Sequence, residues 1–158
     1  MYKRQLWVLA DEGVKRVDMD GFIDNQGNFG ADGIVGPHHE KEGSFYTIKQ
    51  LWSPVQIMNT SIDKQFDGKF SVENRYDYLN LNTCRFLWKQ VKFPTATDTS
   101  NTTTQVLKEG EVQGSDVAAH STGILDIKTT ILPNADALFL TAIDKYGHEL
   151  WRLSLIHI

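Results

Sequence analysis

The hydrophobic pattern of this chain changes near residue 53, and that change limits the folds available to it. Residues 12–42 show no regular spacing of apolar residues, whereas apolar and polar residues alternate after Pro54. Alternation with a period of two is typical of half-buried β-strands. We therefore divide the chain into residues 6–52 and residues 53–153, which we expect to fold differently.

The part after residue 53 contains several short segments with apolar residues at every second position. The residues on one face of the first three are Val55 and Ile57; Phe70, Val72, Asn74 and Tyr76; Phe86, Trp88 and Gln90. Further strands are predicted at Gln105–Gln113, 123–131, Ala137–Ile143 and 148–153. Short strands separated by turn signals such as Asp67-Gly68 predict an antiparallel β-sandwich. Because Trp88 lies on the third strand, we expect an immunoglobulin-like core in a mainly β chain.

The part before residue 53 predicts one strand, one long loop and one helix. Residues 6–10 are continuously apolar, which is typical of a strand buried on both faces of a parallel sheet. Residues 12–42 are rich in Gly, Asp and Asn and predict a long irregular loop, and such loops are usually functional. Gly43-Ser44 precedes a predicted helix over residues 45–51, which Pro54 ends. Because such a segment cannot bury its own apolar surface, we expect it to be the end of a larger α/β barrel.

Composition and charge exclude several classes of protein. The chain has 158 residues, with 16 Lys and Arg against 20 Asp and Glu, and a formal net charge of −4. That balance provides no basic footprint for nucleic acid or an anionic membrane, and no apolar run approaches the ~20 residues of a membrane-spanning helix. Cys84 is the single cysteine, which excludes an internal disulfide and a multi-cysteine metal site. We expect Cys84 to be packed or at a sheet edge rather than reactive.

The two ends of the chain are related to each other at the DNA level. When residues 153–158 are back-translated, the reverse complement of that DNA encodes residues 2–5, Tyr-Lys-Arg-Gln. The shared DNA resembles the transposon-end adapter of sequencing libraries. We therefore expect residues 1–5 and 154–158 not to be native, and we exclude them from the fold prediction. With a native N-terminus absent, the sequence indicates no compartment; the bacterial periplasm and the cytoplasm are both compatible.

Four stretches of the sequence resemble glycoside hydrolase family 2, the β-galactosidase group. They are LWVLADEG at residues 6–13, GNFGADGIV at residues 27–35, EKEGSFYTIK at residues 40–49 and VENRYDYLNL at residues 72–81. The resemblance implies that the front segment is the last strand, substrate-side loop and last helix of a TIM (β/α)8 barrel. It implies that the second segment is the immunoglobulin-like domain that follows. The parent enzyme would hydrolyse terminal β-galactosides with retention of configuration.

The resemblance also implies roles for three residues of the front segment. Trp7 and Phe29 match aromatic residues that line the sugar pocket in the family. Asp32 matches a position that ligates a monovalent cation, Na⁺; the family commonly has Asn there, but Asp32 keeps an oxygen ligand. The residues by themselves leave other roles open, because Trp7 could be a core residue at a strand end and Asp32 a turn residue before Gly33.

No catalytic residue is predicted in this chain. A retaining glycosidase needs two carboxyl groups ~5–5.5 Å apart. Asp11 and Glu12 are adjacent, and adjacent residues of a strand point to opposite faces, so they are poorly placed to flank one glycosidic bond. In the family that the chain resembles, both catalytic glutamates lie on earlier barrel strands. We therefore expect the chain alone to be inactive, with Asp11 and Glu12 positioning the loop.

Other interpretations stay open from the sequence. The sandwich could be a non-catalytic carbohydrate-binding module, with Trp88 and Trp151 as a sugar platform, or a spacer between domains; we expect core packing for both tryptophans. His38-His39-Glu40 could bind a metal, but adjacent histidines diverge and no third ligand is suitably spaced, which favours a solvated loop. The partners that the resemblance implies are a β-galactoside and the rest of the barrel. A homo-oligomer is also compatible.

Overall fold

The chain forms two compact units, Met1–Trp52 and Ser53–Ile158, which we call the front unit and the sandwich unit. The structure is a computed structural model that describes residues 8–24, 30, 32–59, 61–63, 65–95 and 103–156. Its described residues are mainly β, with antiparallel sheets and one α-helix. The mainly β fold with antiparallel sheets predicted from the alternating pattern is therefore confirmed.

The front unit contains a hairpin inside the region predicted to be an irregular loop. Strands β1 (Val14–Arg16) and β2 (Phe22–Asp24) pair antiparallel. The turn between them includes Asp20 and Gly21, both with positive φ. An Asp-Gly pair between short strands is a hairpin signal, but the strands are too short to show a clear alternation.

The strand predicted over residues 6–10 is not formed in its described part, residues 8–10. Ala10 makes one isolated parallel bridge to Val35, and Leu9 is 61% exposed. A parallel strand buried on both faces needs a strand on either side and a layer on each face, and the described residues of the front unit supply neither. The barrel remnant therefore stays a prediction.

The predicted helix is confirmed and is slightly longer than expected. Helix α1 runs over Gly43–Trp52, and Ser53 and Pro54 follow it. No residue of this described helix is buried, and Tyr46, Leu51 and Trp52 are all more than half exposed. Among the described residues, no helix is long and apolar enough to cross a membrane.

The sandwich unit contains two antiparallel sheets. Its strands are β3 (Val55–Ile57), β4 (Lys69–Asn74), β5 (Arg85–Lys92), β6 (Gln105–Gln113), β7 (Ser121–Asp126), β8 (Ala137–Ile143) and β9 (Glu149–Ile156). One sheet has the order β3-β4-β7 and the other the order β6-β5-β8-β9. Strands β6 and β8 have the predicted bounds.

Three strands end elsewhere than predicted. Strand β4 stops at Asn74 and does not reach Tyr76. Strand β7 stops at Asp126 rather than at residue 131, because the Asp126 carboxylate accepts the backbone N–H of Lys128 at 2.8 Å and Lys128 has a positive φ. Strand β9 continues past residue 153, so that Leu138 pairs with Leu155. Apolar and polar residues alternate from Leu153 to Leu155, which suits a strand. This holds whether or not residues 154–158 are native.

The core of the sandwich unit receives side chains from both sheets. From the three-stranded sheet come Val55, Phe70, Val72 and Leu125, and from the four-stranded sheet Phe86, Trp88, Leu138, Leu140, Ala142 and Leu155. Cys84 is fully buried in the same cluster, as expected, and burial raises the pKa of its thiol. Gly110 faces Trp88 so closely that a Cβ there would lie 2.6 Å from the indole.

Two buried polar side chains hold loops onto this core. Asn74 donates to the carbonyl oxygens of Leu79 and Val117, both at 2.9 Å, and accepts the backbone N–H of Tyr76 at 3.0 Å. Gln90 holds the segment before β8: its amide donates to the carbonyl oxygen of residue 130 at 2.8 Å and accepts the backbone N–H of residue 132 at 2.7 Å. Each side chain thereby offsets the cost of burying its amide.

Candidate functional site

The candidate site lies on the loop that joins residue 10 to helix α1 in the front unit. Two of the three residues with predicted roles, Trp7 and Phe29, lie outside the described residues. Asp32 is described, and its side chain is exposed. The structure therefore shows the framework of the loop rather than a pocket wall.

Asp11 is the buried polar anchor of this loop. Its side chain is buried, and one carboxylate oxygen accepts the backbone N–H of Gly33 at 2.7 Å. The backbone N–H of Asp11 donates to the Val35 carbonyl at 2.8 Å. A hydrogen bond to a carboxylate is among the stronger ones in proteins. Asp11 thus holds the loop, which is the positioning role expected for it.

Gly33 permits the close approach on which this anchor depends. A Cβ at Gly33 would lie 2.4 Å from the backbone nitrogen of Asp11 and 2.5 Å from the carbonyl carbon of Ala10. The next residues continue the contact, because Ile34 and Val35 both donate to the carbonyl of Leu9. Gly33 therefore serves close packing of two backbone segments.

The predicted sodium ligand has no ligand cluster around it in the described part of the front unit. No group of three or more His, Cys, Asp or Glu side chains that could hold a metal ion occurs among the described residues. A cation at Asp32 would therefore not be held by a cluster of such side chains among the described residues. The role of Asp32 as a cation ligand stays a prediction.

The histidine pair belongs to a local turn. His38 and His39 are exposed, and the backbone N–H of His38 donates to the Glu40 carboxylate at 2.9 Å. Gly36 donates its backbone N–H to the Glu40 carbonyl at 2.9 Å, which closes the turn. These local contacts support the solvated-loop interpretation of the pair.

A charged cluster on the hairpin was not predicted from the sequence. The Arg16 guanidinium pairs with Asp18 at 2.6 Å and with Asp24 at 3.1 Å. The hydrogen bond from Arg16 lowers the pKa of Asp18. The signal was the placement of Arg16 and Asp24 on opposite sides of the Asp20-Gly21 turn, which brings them together once the hairpin forms.

The tryptophans of the sandwich unit are not a sugar platform. Trp88 is 6% exposed and Trp151 is 4% exposed, so neither offers a ring face to a ligand. The expectation of core packing is confirmed for both. A groove of about 390 Å³ instead lies on the outer face of the four-stranded sheet, away from either indole, with Leu87, Phe139 and Ile143 in its lining.

Comparison with known proteins adds no relative to this geometry. No protein-family model matches the chain, and no curated protein matches it.

Proposed function

We propose that this chain is a piece of a retaining glycoside hydrolase, most nearly a β-galactosidase acting on terminal β-galactosides. The front unit would be the end of the catalytic TIM barrel, and the sandwich unit the immunoglobulin-like domain behind it. In that enzyme the front unit contributes part of the substrate pocket, and the sandwich unit has a structural role.

The observation that carries this proposal is the uncovered apolar surface of the front unit. Helix α1 exposes Tyr46, Leu51 and Trp52, and the hairpin exposes Val17 and Phe22. A helix outside a barrel buries one apolar side against the strands. Side chains of this kind are what the rest of a barrel would cover, and the resemblance of the sequence motifs implies a barrel before this point.

The strand order of the sandwich unit supports the second half of the proposal. The chain passes from the first sheet (β3, β4) to the second (β5, β6), returns for β7, and ends in the second (β8, β9). An immunoglobulin constant-type domain has the same succession, except that its fourth strand joins the first sheet. The buried tryptophan of such domains lies on the third strand, as Trp88 does on β5.

The described front unit has a positioning role rather than a catalytic one in this proposal. Asp11 is committed to the Gly33 N–H, and Glu12 is exposed beside it. We expect the carboxyl pair for retaining hydrolysis to come from earlier strands of the barrel rather than from these two adjacent residues. Asp11 instead fixes the path of the loop that carries Phe29 and Asp32.

The test is to recover the reading frame upstream of residue 6 and to express the extended protein. We expect two glutamates at the ends of earlier barrel strands, and hydrolysis of a chromogenic β-galactoside with retention at the anomeric carbon. β-Glucuronide and β-mannoside substrates measured in parallel identify the sugar. An extended protein without those glutamates, or turnover by the 158-residue chain alone, would contradict the proposal.

Adjacent carboxylates provide a matched pair of variants in the extended enzyme. Asp11→Ala removes the anchor of the loop, and we expect kcat/KM to fall by about tenfold or more because the pocket wall loses its position. Glu12→Ala should stay within about twofold, since Glu12 is exposed. Equal losses in the two variants would remove the positioning role from Asp11.

The alternative is a non-catalytic carbohydrate-binding or spacer sandwich. It is favoured by one observation, that the sandwich unit closes its own core. Calorimetric titration of the full chain with galactosides tests the carbohydrate-binding form of this alternative. Binding tighter than about 1 mM would favour the binding module, and the proposed enzyme fragment is expected to show none.

A further inference from the structure

The sequence contains three Asp-Gly pairs: Asp20-Gly21, Asp32-Gly33 and Asp67-Gly68. Such a pair is chemically reactive, because glycine has no side chain to keep its backbone nitrogen away from the carboxyl group of the preceding aspartate. When the two groups meet, the peptide bond can rearrange without an enzyme. In a folded protein, the pair that reacts is therefore the one whose nitrogen and carboxyl group are held apart least firmly.

The reaction begins with attack of the glycine nitrogen on the side-chain carboxyl carbon of the aspartate. A nitrogen–carbon bond forms, the nitrogen gives up its proton, and one carboxyl oxygen leaves as water, which produces a five-membered cyclic imide. Water then opens this imide. Opening at the side-chain carbonyl restores aspartate, and opening at the main-chain carbonyl leaves isoaspartate, in which the chain runs through Cβ and Cγ. One water is released and one is taken up, so no oxidant or cofactor is needed.

The Asp32-Gly33 pair is held against this reaction. The Gly33 N–H donates to the buried Asp11 carboxylate at 2.7 Å, which orients the nitrogen towards Asp11. A Cβ at Gly33 would lie 2.5 Å from the carbonyl carbon of Ala10, so the Gly33 backbone packs directly on a neighbouring segment. Ring closure requires rotation about the Cα–C bond of Asp32, which turns the peptide plane. Both contacts oppose that rotation.

The Asp67-Gly68 pair is held at both of its residues. The Asp67 carboxylate accepts the backbone N–H of Lys69 at 3.1 Å and lies 3.4 Å from the Lys69 ammonium group. Gly68 is buried, its carbonyl accepts the backbone N–H of Ile127 at 2.9 Å, and a Cβ there would lie 2.5 Å from the Thr129 carbonyl oxygen. Because the pair lies directly before strand β4, ring closure would also disturb the sheet.

The Asp20-Gly21 pair lies in an exposed turn between two strands of three residues each. The Gly21 N–H donates to the Arg16 carbonyl at 2.9 Å, and ring closure must break this hydrogen bond. A Cβ at Gly21 would meet the flexible end of the Lys15 side chain, at 3.1 Å, rather than backbone. Asp20 has a φ of 52°, a left-handed conformation that is unfavourable for a residue with a Cβ. A two-stranded hairpin this short is marginally stable, so the turn opens easily.

We infer that Asp20 is a site of spontaneous isoaspartate formation, and that the fold protects Asp32 and Asp67 from the same reaction. The inference is independent of the proposed glycosidase function. Isoaspartate adds one atom to the main chain and leaves a free carboxylate beside it. Because Arg16 and Phe22 pair directly across the turn, the longer turn breaks the Gly21 hydrogen bond and loosens the hairpin.

The test is to incubate the full chain for several weeks at neutral pH in oxygen-18 water, and then to digest it with trypsin in ordinary water. Hydrolysis of the imide inserts a labelled oxygen, whereas an aspartate that never reacts stays unlabelled. The tryptic peptide of residues 17–41 contains both Asp20 and Asp32, and electron-transfer fragmentation assigns the label and the isoaspartate to each. We expect labelling at Asp20 to be at least about tenfold faster than at Asp32 or Asp67.

Unfolding provides the control for the role of the fold. In guanidinium chloride the three pairs should be labelled at rates within about threefold of one another, because their reactive groups are identical and no native contact holds them. Asp20→Glu in the folded chain should abolish labelling at residue 20, because a glutamate side chain would have to close a six-membered ring, which forms far more slowly.

Asp11→Ala tests the protection of Asp32 within the same peptide. Loss of this carboxylate releases the Gly33 N–H, so labelling at Asp32 should become at least about fivefold faster, while labelling at Asp20 should change by less than about twofold. Glu12→Ala is the matched control, because Glu12 is exposed, and it should leave both rates unchanged.

Three results would overturn the inference. Labelling at Asp20 no faster than at Asp32 and Asp67 in the folded chain would remove the site. An equal preference for Asp20 in guanidinium chloride would mean that the local sequence, rather than the fold, selects it. Labelling at Asp32 that is unchanged or slower in Asp11→Ala would show that the Asp11 hydrogen bond does not protect this pair.

Discussion

The front unit and the sandwich unit bury their apolar residues very differently. In the sandwich unit, side chains from both sheets form one cluster, and many of them are completely buried. In the front unit, Val35 is the one large apolar side chain that is buried among the described residues. Small segments bury a smaller fraction of their surface than full domains do. The difference predicts that the sandwich unit is the more stable of the two, because the described part of the front unit has almost no apolar core of its own.

Amide hydrogen exchange should show the largest difference between the two units. The central strands β5 and β8 open only with the whole sandwich, so their protection should reach at least about a thousandfold. Helix α1 has no buried side chain, and its amides should exchange within about tenfold of an unstructured chain.

The extended protein provides the control for that measurement. If a barrel covers α1, its exchange should slow there while β5 and β8 stay unchanged. Protection of α1 in the 158-residue chain equal to that of β5 would contradict the comparison.

Removing a core aromatic side chain should have the next largest effect. Phe86 is fully buried, and Phe86→Ala should lower the free energy of unfolding by about 3–5 kcal/mol through lost burial and a residual cavity. Phe22→Ala in the hairpin makes the same chemical change at a side chain that is 57% exposed. It should stay within about 0.5 kcal/mol. Urea unfolding followed by far-ultraviolet circular dichroism, which reports on both units, measures both variants, and equal losses would contradict the comparison.

The two units also differ in how far the sequence determined them. Alternation predicted the inward faces of β4 and β5 because a sandwich buries every second residue, including the polar Asn74 and Gln90. The end of β7 was missed because it depends on one Asp126 hydrogen bond and one positive φ at Lys128, which leave no periodic signal.

The candidate site was less predictable than the fold. The positioning role of Asp11 followed from its adjacency to Glu12, but its partner Gly33 is distant in sequence and only the folded loop brings the two together. The groove on the outer face of the four-stranded sheet could also have been predicted, from the composition of strand β8. Strand β8 has almost no polar residue. A strand with one buried and one solvent-facing side usually has polar residues at every second position, so β8 indicates apolar residues on both of its faces.

Removing a buried polar side chain that holds loops onto the core should have the third largest effect on stability. Asn74→Ala removes the hydrogen bonds to the Leu79 carbonyl and the Tyr76 N–H and leaves space in the core. We expect a loss of about 2–3 kcal/mol in the free energy of unfolding. The exposed Asn82 is the matched control, and Asn82→Ala should stay within about 0.5 kcal/mol. An Asn74 variant as stable as the Asn82 variant would show that these hydrogen bonds are replaced by water.

The smallest effect should come from the turn between β8 and β9. Partial desolvation opposes ionisation of Asp144, but hydrogen bonds from the backbone and ring of His148 and from the backbone of Tyr146 outweigh it and lower the pKa of Asp144. A carboxyl whose pKa is lower in the folded state than in the unfolded state stabilises the fold above its unfolded pKa of about 3.9. That contribution is lost as the pH falls through the lower, folded value.

Asp144→Asn should therefore be slightly less stable than the wild type at pH 7, and the difference should shrink steadily as the pH falls from about 5 to about 2. Urea midpoints across that range measure the trend. A difference that stays constant or widens towards low pH would mean that the turn depends on the shape of Asp144 rather than on its charge. The turn would then resemble the core of the sandwich, where packing and hydrogen-bond geometry determine stability.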